Sequence, residues 1–201
     1  MKRMSRRLVL ASTSRYRAEL LGKLGLPFVT ASPGTDESPL PGESPQDLVT
    51  RLAQAKAEAV AARFPDALII GSDQMAVCGS DVLGKPGTRE RAEAQLALLS
   101  GRSVEFVTGL CLHDARSGRT AVEMDLTRVV FRQLSATEIR DYVAREQPLD
   151  CAGAFKSEGL GIALFERIEG EDPNALIGLP LIRLCRLLRA VDVAVLGQPP
   201  G

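Results

Sequence analysis

The sequence predicts a mixed α/β fold, in which a sheet of short strands is flanked by amphipathic helices. Apolar runs at 8–11 and 67–70 have the length of strands, and each lies next to a helical pattern. Two longer alternating segments, 104–114 and 120–132, are joined by a serine-glycine turn. The chain of 201 residues is long enough for one large domain or two small lobes.

The first part of the chain predicts two helices separated by a loop. Ser14 follows the first strand and is positioned to cap a helix. Proline and glycine recur through 30–44, which predicts a segment without regular structure. Pro45 then begins a long helix that continues to about Arg63, because proline is tolerated in the first helical turn.

The segment 67–74 is the most informative stretch for function. Its apolar residues form a short buried strand that Gly71 and Ser72 break, which leaves Asp73 at the carboxyl end. In open α/β sheets, ligands bind at that edge. A carboxylate there, with Glu37 and basic residues elsewhere, suggests metal-assisted chemistry on phosphate. The alternative that Asp73 only caps a turn stays open, since Asp is common in turns.

The second part of the chain predicts further helices and strands. A helix over 88–100 precedes the two long strands. Ser135 and Glu138 have the spacing of a capping box, which begins the next helix. We expect a short apolar strand at 162–165 and a final amphipathic helix at 180–190.

The composition disfavours two classes of partner. The 25 Lys and Arg residues balance 25 Asp and Glu residues, which gives no basic footprint for nucleic acid or for an anionic membrane. The basic start of the chain is like that of a secretion signal, but the apolar run at 8–11 is too short for one. No segment is long and apolar enough to span a bilayer. We therefore expect neither nucleic acid nor a membrane as a partner.

Cysteine and histidine usage favours a cytoplasmic protein without a zinc site. The four cysteines are scattered and form no Cys-x-x-Cys pair, as expected of reduced thiols. His113 is the only histidine, which disfavours a Ser-His-Asp or Cys-His enzyme unless His113 itself is the base. Its place in a predicted hairpin arm favours a structural histidine that faces solvent.

Several cations occupy positions that suggest an anionic ligand. Arg17 shares a helical face with nearby leucines, and Lys56 continues the apolar line of the long helix. Each could keep its charge in water by snorkelling, and that alternative stays open. Together with Lys85 they favour phosphate, because buried charges need partners. The start of the first helix would add backbone N–H groups.

One motif is misleading. Gly79, Gly84 and Lys85 have the spacing of a P-loop, but Pro86 follows where Ser or Thr must bind magnesium. Proline also offers no N–H to a phosphate. We therefore reject an ATPase of that kind.

Five motifs in order resemble the Maf family of nucleoside triphosphate pyrophosphatases, over about residues 8 to 190. They are Leu8-Val-Leu-Ala-Ser-Thr-Ser14 with Arg17, Asp36-Glu37, Arg51-Leu-Ala-x-x-Lys56-Ala, Ile70-Gly-Ser-Asp73 and Gly84-Lys85-Pro86. The resemblance implies an elongated, Maf/ITPase-like mixed sheet with flanking helices and two lobes around a cleft. We take 1–201 as a single domain and expect 1–7 and about 195–201 to be flexible.

The resemblance also implies the activity, which is hydrolysis of a nucleotide to monophosphate and pyrophosphate with a divalent metal, Mg²⁺ or Mn²⁺. It further implies a homodimer. We expect Glu37 and Asp73 to help hold the metal, and Asp73 to orient or deprotonate the attacking water. The triphosphate would lie across Ser12, Arg17, Lys56 and Lys85.

Departures from the commoner family pattern resemble the subfamily that acts on N7-methyl-GTP. They are Ser14-Arg15-Tyr16-Arg17, Ser72-Asp73-Gln74 and the segment 153–159, and the segment 172–180 also resembles that subfamily. A methylated guanine is cationic, and the aromatic face of Tyr16 would attract it, with Phe155 as a second plate. Glu158 would accept from the guanine edge, and Gln74 would bond the base or ribose. Alternatively, Tyr16 only packs its helix, and Glu158 pairs with Lys156.

Two other functions stay open at this point. One is a pyrophosphatase of the same family for dTTP, UTP or CTP. The other is a nucleotide-binding regulator of cell division that needs no turnover. The carboxylates speak against the regulator, because binding alone would not require Asp73.

Overall fold

The computed structural model describes residues 6–197, which form a seven-stranded mixed sheet with five α-helices. The strands are β1 (Leu8–Leu10), β2 (Phe28–Thr30), β3 (Leu68–Cys78), β4 (Asp81–Leu83), β5 (Ser103–Asp114), β6 (Arg119–Phe131) and β7 (Phe165–Glu169). The helices are α1 (Arg15–Gly22), α2 (Pro45–Ala59), α3 (Arg89–Leu99), α4 (Ala136–Glu146) and α5 (Leu181–Ala190). The predicted mixed α/β class is confirmed. The residues 1–5 and 198–201, within the termini predicted to be flexible, lie outside the described residues.

The sheet has the order β2-β1-β3-β5-β6-β7. β1 pairs in parallel with β2 and β3, whereas every other pairing is antiparallel. On one edge of β3, residues 68–70 pair with β1 and residues 76–78 pair with β4. Among the described strands, none pairs with that edge between Gly71 and Met75. Asp73 lies in the middle of this open stretch.

Side-chain caps fix the starts of α1 to α4, and the sequence predicted two of them, at Ser14 and Ser135. Ser14, Ser44, Thr88 and Ser135 each accept a hydrogen bond from a backbone N–H in the first turn. The capping box at the start of α4 is complete. None of the helices within residues 6–197 combines the length and apolar character that crossing a membrane requires.

Three sequence-based expectations were wrong in detail, and one strand was missed. Gly71 and Ser72 do not break β3, because β5 pairs with it from Leu68 to Val77. Residues 160–164 form a 3₁₀ turn, and the strand begins only at Phe165. The helix predicted to reach Arg63 ends at Ala59 and continues as a short 3₁₀ turn, while β2 was not predicted at all.

The histidine expected to face solvent is instead buried. His113 lies on the long hairpin as predicted, but only 8% of it is exposed. Its Nδ1 is 2.9 Å from the Thr120 hydroxyl of the paired strand. Burial and a local partner give it a structural role within the hairpin.

The core consists of three apolar clusters around the sheet. One packs α3 and α4 against one end of the sheet, and Phe106, Phe131, Phe155 and Phe165 meet edge to face within it. At the other end, α1 and α5 cover one face and α2 covers the other. This arrangement leaves polar residues between the two ends of the sheet.

Two glycines allow α2 to lie directly on the sheet. A Cβ atom on Gly71 would be 2.0 Å from the Ala53 carbonyl oxygen, and one on Gly109 would be 2.2 Å from that of Val49. Both distances are far below van der Waals contact. The close approach fixes α2 across β3 and β5, and with it the position of Lys56.

We expect Gly71→Ala to destabilise the protein by about 2 kcal/mol or more, because helix and sheet must separate to admit the methyl group. Gly22→Ala is the control, since nothing lies within 4 Å of its Cβ position. Urea unfolding of both variants measures the difference. Equal stability of the two would contradict the close contact.

Candidate active site

A cavity of about 720 Å³ opens between the two ends of the sheet. Its wall includes Phe106 and Phe155 from the α3–α4 cluster and Ala11 from the α2 cluster. The structure brings all nine predicted site residues into this wall: Ser12, Tyr16, Arg17, Glu37, Lys56, Asp73, Gln74, Lys85 and Glu158. The role of each remains a prediction.

Lys56 joins the two predicted metal-binding carboxylates. Its ammonium is 2.7 Å from Asp73 Oδ1 and 2.7 Å from Glu37 Oε1. Lys56 comes from α2, Asp73 from β3 and Glu37 from the loop between β2 and α2. The Lys56 side chain is 6% exposed and that of Asp73 13%, whereas that of Glu37 is 59% exposed. Snorkelling of Lys56 is therefore excluded, since its charge is buried with partners.

Arg17 is held by a backbone carbonyl. Its Nε donates to the carbonyl oxygen of Gly178 at 2.9 Å. The Ser72 hydroxyl donates to the same oxygen at 3.0 Å. Burial lowers the pKa of Arg17, while the charges of Asp73 and Glu37 act in the opposite direction. The segment before α5 therefore aims this guanidinium into the cavity.

The other two predicted phosphate ligands lie at the rim and at the start of α1. Ser12 is 5% exposed, and its hydroxyl accepts from the backbone N–H of Ser14 at 3.1 Å. Lys85 is exposed and follows β4. The cavity wall is continuous from Ala11 to Arg17, so the N-terminal end of α1 lies against it. A helix N-terminus favours a bound anion.

Tyr16 already has a cation on its ring. The guanidinium carbon of Arg15 lies 4.8 Å from the ring centre. The Tyr16 hydroxyl donates to Asp150 Oδ2 at 3.1 Å and accepts from Arg15 at 2.8 Å. Burial raises the pKa of Tyr16 to about 12, so the phenol stays protonated at neutral pH.

The other two specificity candidates, Gln74 and Glu158, differ in their contacts within the protein. The Gln74 amide nitrogen donates to Thr108 Oγ1 at 2.9 Å and to the Ala175 carbonyl at 2.8 Å, so it fastens the segment before α5. Glu158 is exposed at the cavity wall. Lys156 contacts Glu146 instead, which excludes the expected alternative that it pairs with Glu158.

Phe155 does not stand free as a second plate. It is 4% exposed, and its ring packs edge to face against Phe106, Phe131 and Phe165. It borders the cavity as part of the core. The expectation of a second stacking plate is therefore wrong in this structure.

The donor set of the cavity suits a hard divalent cation only in part. Glu37 and Asp73 present carboxylate oxygens to one point, now taken by the Lys56 ammonium. Such oxygens are the ligands that Mg²⁺ and Mn²⁺ prefer. Within the described part of the chain, no group of three or more His, Cys, Asp or Glu side chains could hold a metal. The two carboxylates therefore fit a metal whose other ligands are water and substrate oxygens.

Sequence reasoning missed several residues around the cavity. Asp150 bonds Tyr16, and the Gly178 carbonyl holds Arg17. Asp150 carries no local signal, and although Gly178 lies in the segment 172–180, its contact with Arg17 joins distant parts of the chain and could not be predicted. Cys151 also borders the cavity, but burial raises its pKa to about 11, so it stays a neutral thiol.

Comparison with known sequences shows the family. The family model described as Maf-like protein matches residues 7–191. The chain is 56% identical to a protein of Nitrosococcus oceani, over 94% of this chain and 95% of the relative. It therefore belongs to the Maf family, as its motifs predicted.

The curated relatives share one name. That of Nitrosococcus oceani is called 7-methyl-GTP pyrophosphatase, as are relatives in Chromohalobacter salexigens and a Polaromonas species. The second is 56% identical over 95% of this chain and 99% of its own length. The third is 54% identical over 95% of this chain and 87% of its own length. The solved structure of the Staphylococcus aureus Ham1 protein aligns with a TM-score of 0.44 and 16% identity, over 63% of this chain and 72% of that one.

We expect Lys56→Met to lower the free energy of unfolding by about 1–3 kcal/mol, because it leaves the Asp73 carboxylate buried without a partner. Asp73→Asn should destabilise the wild-type protein and stabilise the Lys56→Met variant. Urea unfolding of the two single variants and the double variant measures this coupling. Lys23→Met, at an exposed lysine, is the control. Additive effects of the two substitutions would contradict the ion pair.

Proposed function

We propose that this protein hydrolyses N7-methyl-GTP to the monophosphate and pyrophosphate. The observation that carries the proposal is the cavity where Lys56, Glu37 and Asp73 meet beside Arg17 and Lys85. Carboxylates among several cations suit a polyanionic substrate that also needs a divalent metal. The name shared by the relatives, at 54–56% identity, supports the same substrate.

In this proposal the triphosphate lies along the cationic side of the cavity. Arg17 and Lys56 are the inner contacts, and Lys85 reaches from the exposed rim. The N-terminal end of α1 and the Ser12 hydroxyl add hydrogen-bond donors. Their charges would neutralise the phosphates and fix the α-phosphorus relative to Asp73, which is the main source of rate in phosphoryl transfer.

Glu37 and Asp73 are the residues that would hold Mg²⁺ or Mn²⁺. When bound, such an ion neutralises phosphate charge and polarises the phosphorus–oxygen bonds. Asp73 would also orient a water and accept its proton. As the water oxygen bonds to the α-phosphorus, the bond to the bridging oxygen breaks, and pyrophosphate leaves with that electron pair.

Selectivity for a methylated guanine would come from Tyr16 and Glu158. The Arg15 guanidinium over the Tyr16 ring supports this, since it lies where an aromatic face attracts positive charge. The exposed Glu158 carboxylate can accept from the N–H groups of a guanine edge. A pyrimidine lacks the adjacent pair of N–H donors of the guanine edge, so it would satisfy the Glu158 carboxylate less fully, and such a mismatch favours rejection.

Three further proposals concern the cellular location, the oligomeric state and the alternative substrate of the protein. Among the described residues the four cysteines are free thiols, which supports a reducing, cytoplasmic setting. A homodimer remains a proposal from the family resemblance. A pyrimidine pyrophosphatase would use the same phosphate site, and base selectivity decides between the two.

We expect the protein to release pyrophosphate from N7-methyl-GTP faster than from GTP, UTP, CTP or dTTP, with Mg²⁺ or Mn²⁺. Asp73→Ala should reduce turnover at least about a hundredfold, because the metal loses a ligand and the attacking water loses the carboxylate that orients it and accepts its proton. Its far-ultraviolet circular dichroism should match the wild type. Asp66→Ala, at an exposed carboxylate that does not line the cavity, is the control. Near-normal activity of Asp73→Ala would remove Asp73 from the mechanism.

We expect Tyr16→Leu to lower kcat/KM for N7-methyl-GTP about tenfold more than for GTP, because only the methylated base carries the charge that an aromatic ring attracts. Tyr16→Phe keeps the ring and should keep the preference. Glu158→Gln should weaken discrimination against UTP, and Glu166→Gln, exposed on β7, is its control. Unchanged substrate preferences in Tyr16→Leu and Glu158→Gln would place base recognition elsewhere.

A further inference from the structure

The loop that carries Glu37 contains no helix or strand. It runs over 31–44, and most of its residues are exposed. Yet Glu37 must keep its carboxylate 2.7 Å from a buried lysine although its own side chain is 59% exposed. Contacts from other segments therefore have to fix this loop.

Arg51 of α2 supplies several of those contacts. Its Nη2 donates to the carbonyl oxygen of Ser38, the residue after Glu37, at 3.1 Å. Its Nε and Nη2 also donate to the two oxygens of Glu43, at 2.6 and 2.8 Å. Glu43 in turn accepts from the backbone N–H of Leu40 at 2.9 Å. One guanidinium thus fastens the loop at two places on the carboxyl side of Glu37.

The same helix anchors the loop and supplies the ion-pair partner of Glu37. Lys56 and Arg51 both belong to α2, and Arg63, just after that helix, donates to the Ser32 carbonyl at 2.5 Å. The loop is therefore held near both ends, by α2 and by the 3₁₀ turn that follows it. Lys56 also belongs to α2 and contacts both carboxylates, so this helix fixes the spacing between Glu37 and Asp73.

We propose that Arg51, through its bidentate pair with Glu43 and its bond to Ser38, is the positioning residue that holds Glu37 for metal binding. The inference rests on the proposed function, in which Glu37 and Asp73 hold the divalent ion. Arg51 itself does not line the cavity, so it acts through Glu37 rather than on the substrate.

The ion pair of Arg51 and Glu43 is suited to hold the loop 31–44 permanently, and we call it the clamp. The hydrogen bonds from Arg51 lower the pKa of Glu43 to about 2. The Glu43 carboxylate therefore stays charged at neutral and mildly acidic pH. A guanidinium matches a carboxylate with two parallel hydrogen bonds, which a lysine cannot reproduce. Partners beyond the metal ligands commonly change metal affinity or activity by about 10–100-fold.

We expect Arg51→Gln to raise the Mn²⁺ concentration for half-maximal activity about tenfold, with little change in the melting temperature. Arg51→Lys should fall between it and the wild type. Amide hydrogen exchange of 36–43 should speed up in Arg51→Gln without any nucleotide or metal. Arg116→Gln is the matched control, because it removes an exposed arginine that pairs with Asp66 fifty positions away. Its exchange in 36–43 and its Mn²⁺ dependence should equal those of the wild type.

A variant of Glu37 separates positioning from a general loss of structure. In a Glu37→Gln background, Arg51→Gln should cause no further loss of activity, because its effect passes through Glu37. Unchanged exchange in 36–43, or an equal further loss in that background, would overturn the proposal. If the wild type hydrolyses no nucleotide, the proposed function fails. Faster exchange in Arg51→Gln would still support the clamp, since that measurement needs no turnover.

Discussion

The buried ammonium of Lys56 is the interaction on which the geometry of this site depends. It lies within hydrogen-bond distance of carboxylates from β3 and from an irregular loop. It reaches them because α2 contacts the sheet at Gly71 and Gly109 without intervening side chains. A buried amine requires such partners, and the largely buried carboxylate of Asp73 in turn requires the amine. Helix packing and charge pairing are therefore one constraint.

The pairing of β3 explains why a carboxylate here can be both rigid and accessible. β5 pairs with the strand over its length and sets Asp73 opposite Gly109, the second glycine under α2. The other edge changes partner from β1 to β4 and is open around Asp73 among the described strands. A group in the middle of a strand is held more precisely than one on a loop. Because the pairing strand changes from β1 to β4 at this point, the edge leaves space for a ligand beside Asp73.

The sequence could predict what depends on local pattern. Helix starts were predictable because caps such as Ser14 and Ser135 act within one turn. The nine site residues were identified by motif, and all of them line one cavity. The continuation of β3 was not predictable, because Gly71 is a strand breaker by propensity and is required only by its contact with α2. The burial of His113 and the contact of Asp150 with Tyr16 likewise depend on distant segments.

The partners of Arg17 and Lys56 suggest different roles for these two cations within the cavity. Arg17 donates to the neutral carbonyl of Gly178 and not to either carboxylate. Lys56 is held by carboxylate oxygens, which are hydrogen-bond acceptors of the same kind as phosphate oxygens. In the proposed reaction Arg17 is therefore a preset phosphate contact, while Lys56 can exchange a carboxylate for the substrate. Because α2 carries Lys56 and also fixes the loop of Glu37, the lysine and the carboxylate that it would exchange are held by the same helix.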